Sequence, residues 1–479
     1  MDRSADSPKI LLRKPVAAGV AALFALAAPE AFAATTWVVK NCSDTGTDSL
    51  RADAASALSG DTLDLSKLGS TYSCPGNTIA LTSGAVTLQQ STITLSGPSG
   101  GITITGYYNG AYQNDRLIKH TGTGGTLYVE HVSFEYSHFA PAGTNAKGGC
   151  VYSAGSVNLT DVLLFQCEAT ASASGKFAAG GGIYARDDLA MKYTRVIANT
   201  AAGINPAFVP SGGGAYAGRN LSMSGSTISA NTAPNGNFGG AVAFGGATIT
   251  ASTISGNSSG FTGGLHVLGF SGTHTMAITS STISGNHSTG SVGGISASTI
   301  TTSIRNSTIA FNTSVDASAD QGPGLYILNS YGASGHPSSI ELESSILSNN
   351  TYGGTENDFG AHATVAANTF SVTSNNNLIR SAPGAVRPAA VSTACPLLAP
   401  LRDNGGPTQT HALLSHSPAI DAGNNDASQN EDQRGRPNTD SSPYPYPRSS
   451  GLGPDIGAYE VEQADIVFNA GFDGCPALF

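Results

Sequence analysis

The chain has 479 residues, 60 of them glycine, and a formal net charge of -10. Only 11% of the residues are charged, against roughly 25% in an ordinary soluble protein, so Ser, Thr, Asn and Gly must cover much of its surface. That acidic, sparsely charged balance excludes an electrostatic partner such as nucleic acid or an anionic membrane surface, and the hydroxyl-rich composition favours strands over helices.

At the N-terminus, Lys9, Arg13 and Lys14 precede an apolar run from Val16 to Ala28, and Ala31-Phe32-Ala33 supplies a small-x-small cleavage pattern. Residues 1–33 therefore read as a cleaved secretory signal. The run of 13 residues falls short of the roughly 20 that span a bilayer, and no later segment has transmembrane character. Cleavage removes four of 22 basic and three of 32 acidic residues, leaving 18 − 29 = −11. In an exported chain the six cysteines are expected in disulfides, and no Cys-x-x-Cys pair suggests zinc.

Residues 34–77 read as a cap. In "TDSLRADAASALSGD" Asp48 is the expected helix N-cap, with Leu50, Ala54, Ala57 and Leu58 on one face and Gly60 as the stop. Cys42 and Cys74 flank this lid and are expected to pair. From residue 78 the chain alternates in small apolar steps, with Ile79, Leu81, Val86, Leu88, Ile93, Leu95, Ile102 and Ile104 as the inward set.

A repeated phrase then takes over. Its Asn recurs as Asn199, Asn231, Asn257, Asn286, Asn312 and Asn349, at intervals of 32, 26, 29, 26 and 37 residues. Before each phrase stands a Gly mark, as in Gly213-Gly214-Ala215, Gly239-Gly240-Ala241 and Gly263-Gly264-Leu265. Within one period, Ala241 to Phe244, Ala247 to Thr250 and Ser252 to Ser255 are alternating runs too short for helices. Three brief strands per turn, stacked turn on turn, make a single-stranded parallel β-helix over residues 78–374, with about 10–12 turns and a length of roughly 50 Å at about 4.8 Å per strand. Ile254, Ile283, Ile309 and either Ile346 or Leu347 form an inward column, and the flanking Ser and Thr are expected to face outward. Asn suits a left-handed corner and side-chain stacking; Gly suits backbone geometry closed to a β-carbon.

Cys150 replaces the second Gly of one mark and Cys167 takes the Asn place of the same turn. Their separation of 17 residues equals that from Gly182 to Asn199, Gly214 to Asn231 and Gly240 to Asn257. If the excursion after each Asn returns to the coil, the Asn place sits beside the next turn's Gly mark, which brings these two thiols together. Cys395 and Cys475 remain for each other.

The paired marks resemble the GGAI and FxxN repeats of chlamydial polymorphic outer-membrane proteins, which implies a right-handed β-helix from about Gly148 to Asn349. Asp48 to Leu63 is similar to the opening of many exported bacterial β-helix proteins. From Asn375 to Glu460, "NNNLIRS", "LAPLRDNGGPTQTHALLSHSPAIDAGNN", "DQRGRP" and "GPDIGAYE" occur in order and resemble the C-terminal module of choice-of-anchor Q proteins. The resemblance implies a secreted or surface protein in which residues 375–462 form an irregular cap module. Residues 463–479 form a tail with no LPxTG, no final hydrophobic helix and no autotransporter barrel.

Pectate lyases and polygalacturonases share this architecture and place several Asp, often with Ca²⁺, beside an Arg or Lys base. Between Thr200 and Ile300 the single Lys, Arg, Asp or Glu is Arg219, which leaves those turns without a charged groove. No catalytic residue is assigned; Glu135, His138 and Asp161 are the candidates should the protein be a polysaccharide lyase or hydrolase instead. Asp421, Asp432, Asp455 and Glu460 offer a Ca²⁺ set, with Asx turns and pairing to Arg434 as the competing reading, and no other cofactor or metal is expected. One outward column reads Tyr152, Tyr184, Tyr216, Val242, His266, Ser296 and Tyr326. Its tyrosines are the candidate contacts for a polysaccharide or cell-surface glycan, against the alternative of an aromatic ladder. "GYYNGAYQND", from Gly106 to Asp115, is a second Tyr-rich candidate surface. The sequence thus reads as an exported structural or adhesive β-helix.

Overall fold

The computed structural model describes residues 33–203, 212–269, 274–298, 301–316, 321–329, 338–364, 368–389, 391–425, 429–435 and 446–462. The expected leader up to Phe32 and the tail from residue 463 lie outside the described residues, and so does the pairing of Cys395 with Cys475.

The described chain winds as a right-handed parallel β-solenoid, with one N-terminal helix and an irregular C-terminal region. In the coil that begins at Gly240 the strands are Ala241–Ala243, Ala247–Thr250, Thr253–Ser255 and, beyond the Asn257 corner, Ser258–Ser259. The first three match the expected runs, and the short fourth is an addition. Each strand pairs in parallel with its counterpart in the next coil: Ala241 with Leu265, Ile249 with Ile278, Ile254 with Ile283. The first strands of successive coils stack into a 10-stranded sheet, the second strands into a 12-stranded sheet, and the third and fourth strands complete the wall. Ile254, Ile283 and Ile309 are fully buried in the central core, and Leu347 pairs with Ile309, so the inward residue of that coil is Leu347. Ile346 points away from it, into a second small core.

The phrase Ser-Thr-Ile-Ser-x-Asn can be accounted for letter by letter. Ile fills the core. The first Ser, expected outside, is instead buried at the corner between second and third strands. There the Ser252 hydroxyl donates to Thr250 O at 2.8 Å and accepts from Ser226 N at 3.1 Å. Ser226, Ser252, Ser281, Ser307 and Ser345 form a file in which each backbone N–H finds the hydroxyl one coil further on. Asn forms a second file at the next corner. Asn231 Nδ2 donates to Asn257 Oδ1 at 2.9 Å and to Val196 O at 2.9 Å, while Asn231 N donates to the same Asn257 Oδ1. The pattern starts at Cys167 N, runs through Asn199, Asn231, Asn257, Asn286 and Asn312, and continues to Asn350 and then Asp358.

Two expectations about this corner are corrected. The left-handed residue is the one before the ladder: Ala198, Ala230, Gly256, Gly285, Phe311 and Asn349 all have φ between 55° and 64°. Asn349 therefore turns the corner and Asn350 occupies the ladder place. Asn tolerates the left-handed region, which is why either fitted, but only a residue one step on aims its amide into the wall. The Gly mark is also a matter of room rather than of φ. A β-carbon on Gly240 would lie 2.4 Å from Gly264 O and 3.0 Å from Asn257 Cγ, and one on Gly214 2.8 Å from Asn231 Cγ. Each Asn amide thus rests on the Gly of its own coil, not on the next. Cys150 and Cys167 occupy this same Gly and Asn pair of places and are joined by a disulfide with Cα atoms 5.3 Å apart.

Cys42 and Cys74 form the other described disulfide. The cap helix spans Leu50–Ser56, and its N-cap is Ser49, whose hydroxyl accepts from Ala52 N; Asp48, expected in that role, lies one residue outside with φ 56°. Leu50, Ala54 and Ala57 are buried on the coil, but Leu58 has left the helix and is exposed. Gln90 Nε2 donates to Ala54 O and Ala57 O, satisfying carbonyls that a helix end leaves open. Asp44 takes Arg51 and the amides of Thr82 and Ser83, which pins the lid to the first coil.

The C-terminal region does more than follow the last coil. Val391–Ser392 pairs with Asn377–Ile379, but beyond it the chain folds back along the flank of the third strands. Thr253 Oγ1 donates to Gln409 O at 2.6 Å, Ser284 bonds His411 Nε2 at 2.7 Å, and Ala458 N donates to Thr308 Oγ1 at 3.1 Å. Gln433 spans two coils, donating to Thr253 Oγ1 and accepting from Thr282 Oγ1. Ala310, Ile346, Leu378, Leu398, Leu413, Ala419 and Ile456 form the apolar seam beneath. The outward Thr and Ser of these coils are therefore covered, not solvated: the region packs Ala382, Val386 and Val391 on the main core at the last coil and then continues as a flank cover.

Candidate functional site

The flank cover has an edge. Pro407 reaches Gly225, and Thr408 Oγ1 donates to Ala251 O, so the third strands of earlier coils carry their outward residues uncovered. Those residues are Glu135 on the strand Val132–Phe139, Phe165 on Leu163–Ala171, and Arg195 and Ile197 on Arg195–Ile197. On this stretch lies a cavity of about 310 Å³, lined by Tyr112, Ser137, His138, Gln166, Cys167, Glu168, Ala198 and Thr200.

The cavity is overhung by the Tyr-rich segment. Tyr107–Tyr108 and Ala111–Tyr112 form a two-residue-deep antiparallel hairpin, with Asn109 and Gly110 both at positive φ in the turn. Tyr107, Tyr108 and Tyr112 are 44%, 49% and 53% exposed. The Tyr107 ring lies 5.0 Å from that of Tyr112 and 6.2 Å from that of Tyr136, which packs edge-on against Phe165 at 5.6 Å. The hairpin is thus propped from below by rings while its own outer faces stay free. A hydroxyl-bearing aromatic face over a polar floor suits a saccharide, whose C–H face stacks on the ring and whose hydroxyls need partners.

The floor is ionic. His138 Nδ1 lies 2.9 Å from Glu168 Oε2, on neighbouring parallel strands that pair these two residues directly. Glu168 also accepts from Thr170 Oγ1. Burial raises the Glu135 carboxyl above the usual range, only partly offset by Arg195. Asp161, the third residue considered for catalysis, stands apart beside His131 at 3.0 Å.

The second candidate surface, the outward Tyr column, is a stack. Tyr152, Tyr184 and Tyr216 occupy equivalent places in successive first strands. Their rings are nearly parallel, with centroids 5.5 Å and then 4.5 Å apart, and Phe244 continues the file at 5.3 Å. The Arg116 guanidinium caps the other end, 5.1 Å from the Tyr152 centroid. Ring faces are turned to one another, and the buried Tyr184 hydroxyl accepts from Lys147 Nζ. Burial raises the phenol pKa of Tyr184 and Tyr216. Tyr326 shares the register of the column but is separated from Tyr216 by Val242, His266 and Ser296, and is itself buried.

The acidic residues of the C-terminal region face backbone amides. Asp421 accepts from Leu452 N and Gly453 N, Asp455 from Asp421 N and Val461 N, and Glu460 from Ser450 N and Asp455 N. Asp432 pairs with Arg434, whose guanidinium is held between the rings of Tyr446 and Tyr459 at 4.1 Å each. Among the described residues no group of three or more His, Cys, Asp or Glu is arranged to hold a metal ion. Among them, too, no helix is long and apolar enough to cross a membrane.

Compared with protein-family models, with curated proteins and with solved structures, the chain finds no match in any of the three. Its class rests on its own geometry: a right-handed parallel β-solenoid with a covered flank.

Proposed function

We propose that the protein is an exported or cell-surface β-solenoid of the choice-of-anchor Q type, with a structural and adhesive role exercised through glycan binding and without a catalytic centre of its own. The observation that carries the reading is the Tyr107–Tyr112 hairpin, which exposes three rings and whose Tyr112 lines a polar cavity on the uncovered part of the flank. Exposed aromatic rings beside hydrogen-bonding side chains are the common chemistry of surfaces that hold sugars. The resemblance to choice-of-anchor Q proteins adds the exported setting. Its motif residues Gln433, Arg434, Asp455 and Glu460 are the ones that knit the flank cover together and to the coils.

The test is a glycan array probed with the mature protein, beside Tyr108→Ala and Tyr112→Ala. Binding that falls at least tenfold in these variants, with unchanged thermal unfolding, is the expected result. The competing reading, a polysaccharide lyase or hydrolase, is favoured by Glu135, whose raised pKa would suit a proton donor. Release of shortened or unsaturated oligosaccharides by the purified protein, abolished by Glu135→Gln, would replace the adhesive reading.

A further inference from the structure

A second cavity, of about 340 Å³, lies where the Tyr stack begins. Arg116, Lys119, Thr121, Asn145, Lys147, Tyr152 and Ala154 line it. It contains three of the 22 cationic side chains of a chain with net charge −10, and no carboxylate. Among the described residues none of the three has an ion-pair partner within 4.0 Å. Asp115 acts on Arg116 through its charge, but its oxygens accept from backbone amides, Oδ1 from Arg116 N and Oδ2 from Ala85 N.

Two of the cations are held against rings, and Lys119 is exposed. Arg116 is only 8% exposed; its guanidinium lies 3.8 Å from the Phe139 ring centroid and 5.1 Å from that of Tyr152, and its Nε makes one long contact, 3.4 Å, to Gly148 O. Burial pulls its pKa down to about 10, so it stays charged at neutral pH with few of its five donors used. Lys147 is positioned over the Tyr184 ring at 4.9 Å and donates to its hydroxyl at 3.3 Å. Lys119 stands on the strand Ile118–His120 in direct register with Tyr152. Three cations without an ion-pair partner, two of them held against rings, beside an aromatic edge and the Asn145 amide, call for an anion attached to something that also contacts rings.

We infer that this cavity binds the anionic substituent of a glycan, a carboxylate or a sulfate, and makes the protein selective for acidic over neutral polysaccharides. The inference rests on the glycan-binding reading and gives it a substrate class. The chain joins the two sites directly: Tyr112 lines the first cavity and Arg116 the second, and His138 lines the first while Phe139 carries the Arg116 guanidinium. One glycan chain can therefore use both, with rings at the hairpin and charge at the cations.

The experiment compares binding of oligogalacturonate with that of its fully methyl-esterified form, and of dextran sulfate with that of dextran, to the mature protein and to Lys119→Gln/Lys147→Gln. The two pairs separate carboxylate from sulfate. Free glucuronate and inorganic sulfate are titrated by thermal shift in parallel. Expected is a preference for one acidic form, weakened by salt and cut about tenfold or more by the double substitution, with neutral binding retained. Equal binding of acidic and neutral forms, or an acidic preference untouched by the double substitution, overturns the inference while leaving the glycan reading in place. A Lys-dependent thermal shift with free anion but no glycan bound by any variant would instead keep the anion site and overturn the glycan reading. No shift with either anion and no acidic preference removes the site.

Discussion

Asn257 shows how much of the wall depends on one side chain. Its Oδ1 accepts from Asn231 N and Asn231 Nδ2, and its own Nδ2 donates to Ile228 O and to Asn286 Oδ1. Replacing it with Ala strands one backbone N–H and one carbonyl in a dry wall, at about 1–3 kcal/mol for each orphaned group. Asn257→Ala is therefore expected to lower the unfolding free energy by about 2–6 kcal/mol, read from chemical denaturation. Asn349→Ala is expected to cost less, because Asn349 turns the corner and its Oδ1 takes the neighbouring Ser348 hydroxyl rather than the amides of the ladder; equal losses at the two positions would contradict the assignment of Asn350 to the ladder. The repeat itself was open to reading because a ladder demands one residue type at one interval. The one-place error at Asn349 arose where two adjacent Asn both satisfied the pattern. The buried Ser file went unread for a different reason. Strict alternation puts the first Ser of Ser-Thr-Ile-Ser on the same side as Ile, but a hydroxyl is assigned to the surface unless its partner is visible, and the partner is a carbonyl two residues back together with an amide one coil away.

Among the elements, the extension of the C-terminal region along the flank is the one that sequence reasoning did not reveal. Its segments carry no period of 2 or 3.6, and its attachment depends on single side chains meeting hydroxyls some 150 residues distant, as in Gln433 with Thr282 or Thr308 with Ala458. Nothing local announces such a contact. The apolar seam under it is small, so polar contacts must carry much of the attachment. Gln433→Ala removes the bridge between two coils and leaves the Thr253 and Thr282 hydroxyls under the cover. It is expected to make the 396–461 region open at a lower free energy than the coils, detected as faster amide hydrogen exchange in that region, while exchange at the Ile254 and Ile283 strands is unchanged. Uniformly faster exchange in both would mean that cover and coil unfold as one cooperative unit. The candidate site was partly legible: the Tyr-rich loop was visible as composition, and the outward Tyr column as register. Its geometry was not, since the stack depends on ring orientations across coils and the open flank beneath the hairpin on how far the cover extends.

At the scale of the molecule, buried titratable groups give the fold two opposing responses to pH. Burial raises the carboxyl of Asp358, the last acceptor of the Asn ladder, to about 8, and that of Glu460 in the flank cover to about 8. Their unfolded values lie near 4, so the native state holds protons that the unfolded chain releases, and the stability they contribute is full below about pH 4 and lost as pH rises to about 8. His266 and His411 act in the other direction. Burial lowers His266 to about 3 and His411 to about 4, so their contribution is full above their unfolded value near 6.5 and lost as pH falls toward 4 and 3. Between about pH 4 and 6.5 the two pairs oppose each other and stability is expected to be nearly flat. Above 6.5 only the carboxyls change, so unfolding free energy should fall up to pH 8, by about 1.4 kcal/mol per pH unit for each proton involved. Asp358→Asn keeps an oxygen for the Asn350 amide but sets a donor against Ser381 N, which lowers stability at every pH. The same substitution abolishes one of the two titrations, so its alkaline limb should fall about half as steeply as that of the parent chain. Denaturant unfolding followed from pH 5 to 9 measures both limbs, and a variant whose alkaline slope matches the parent would show that Asp358 is already ionised in the folded wall at neutral pH, held charged by its three N–H donors.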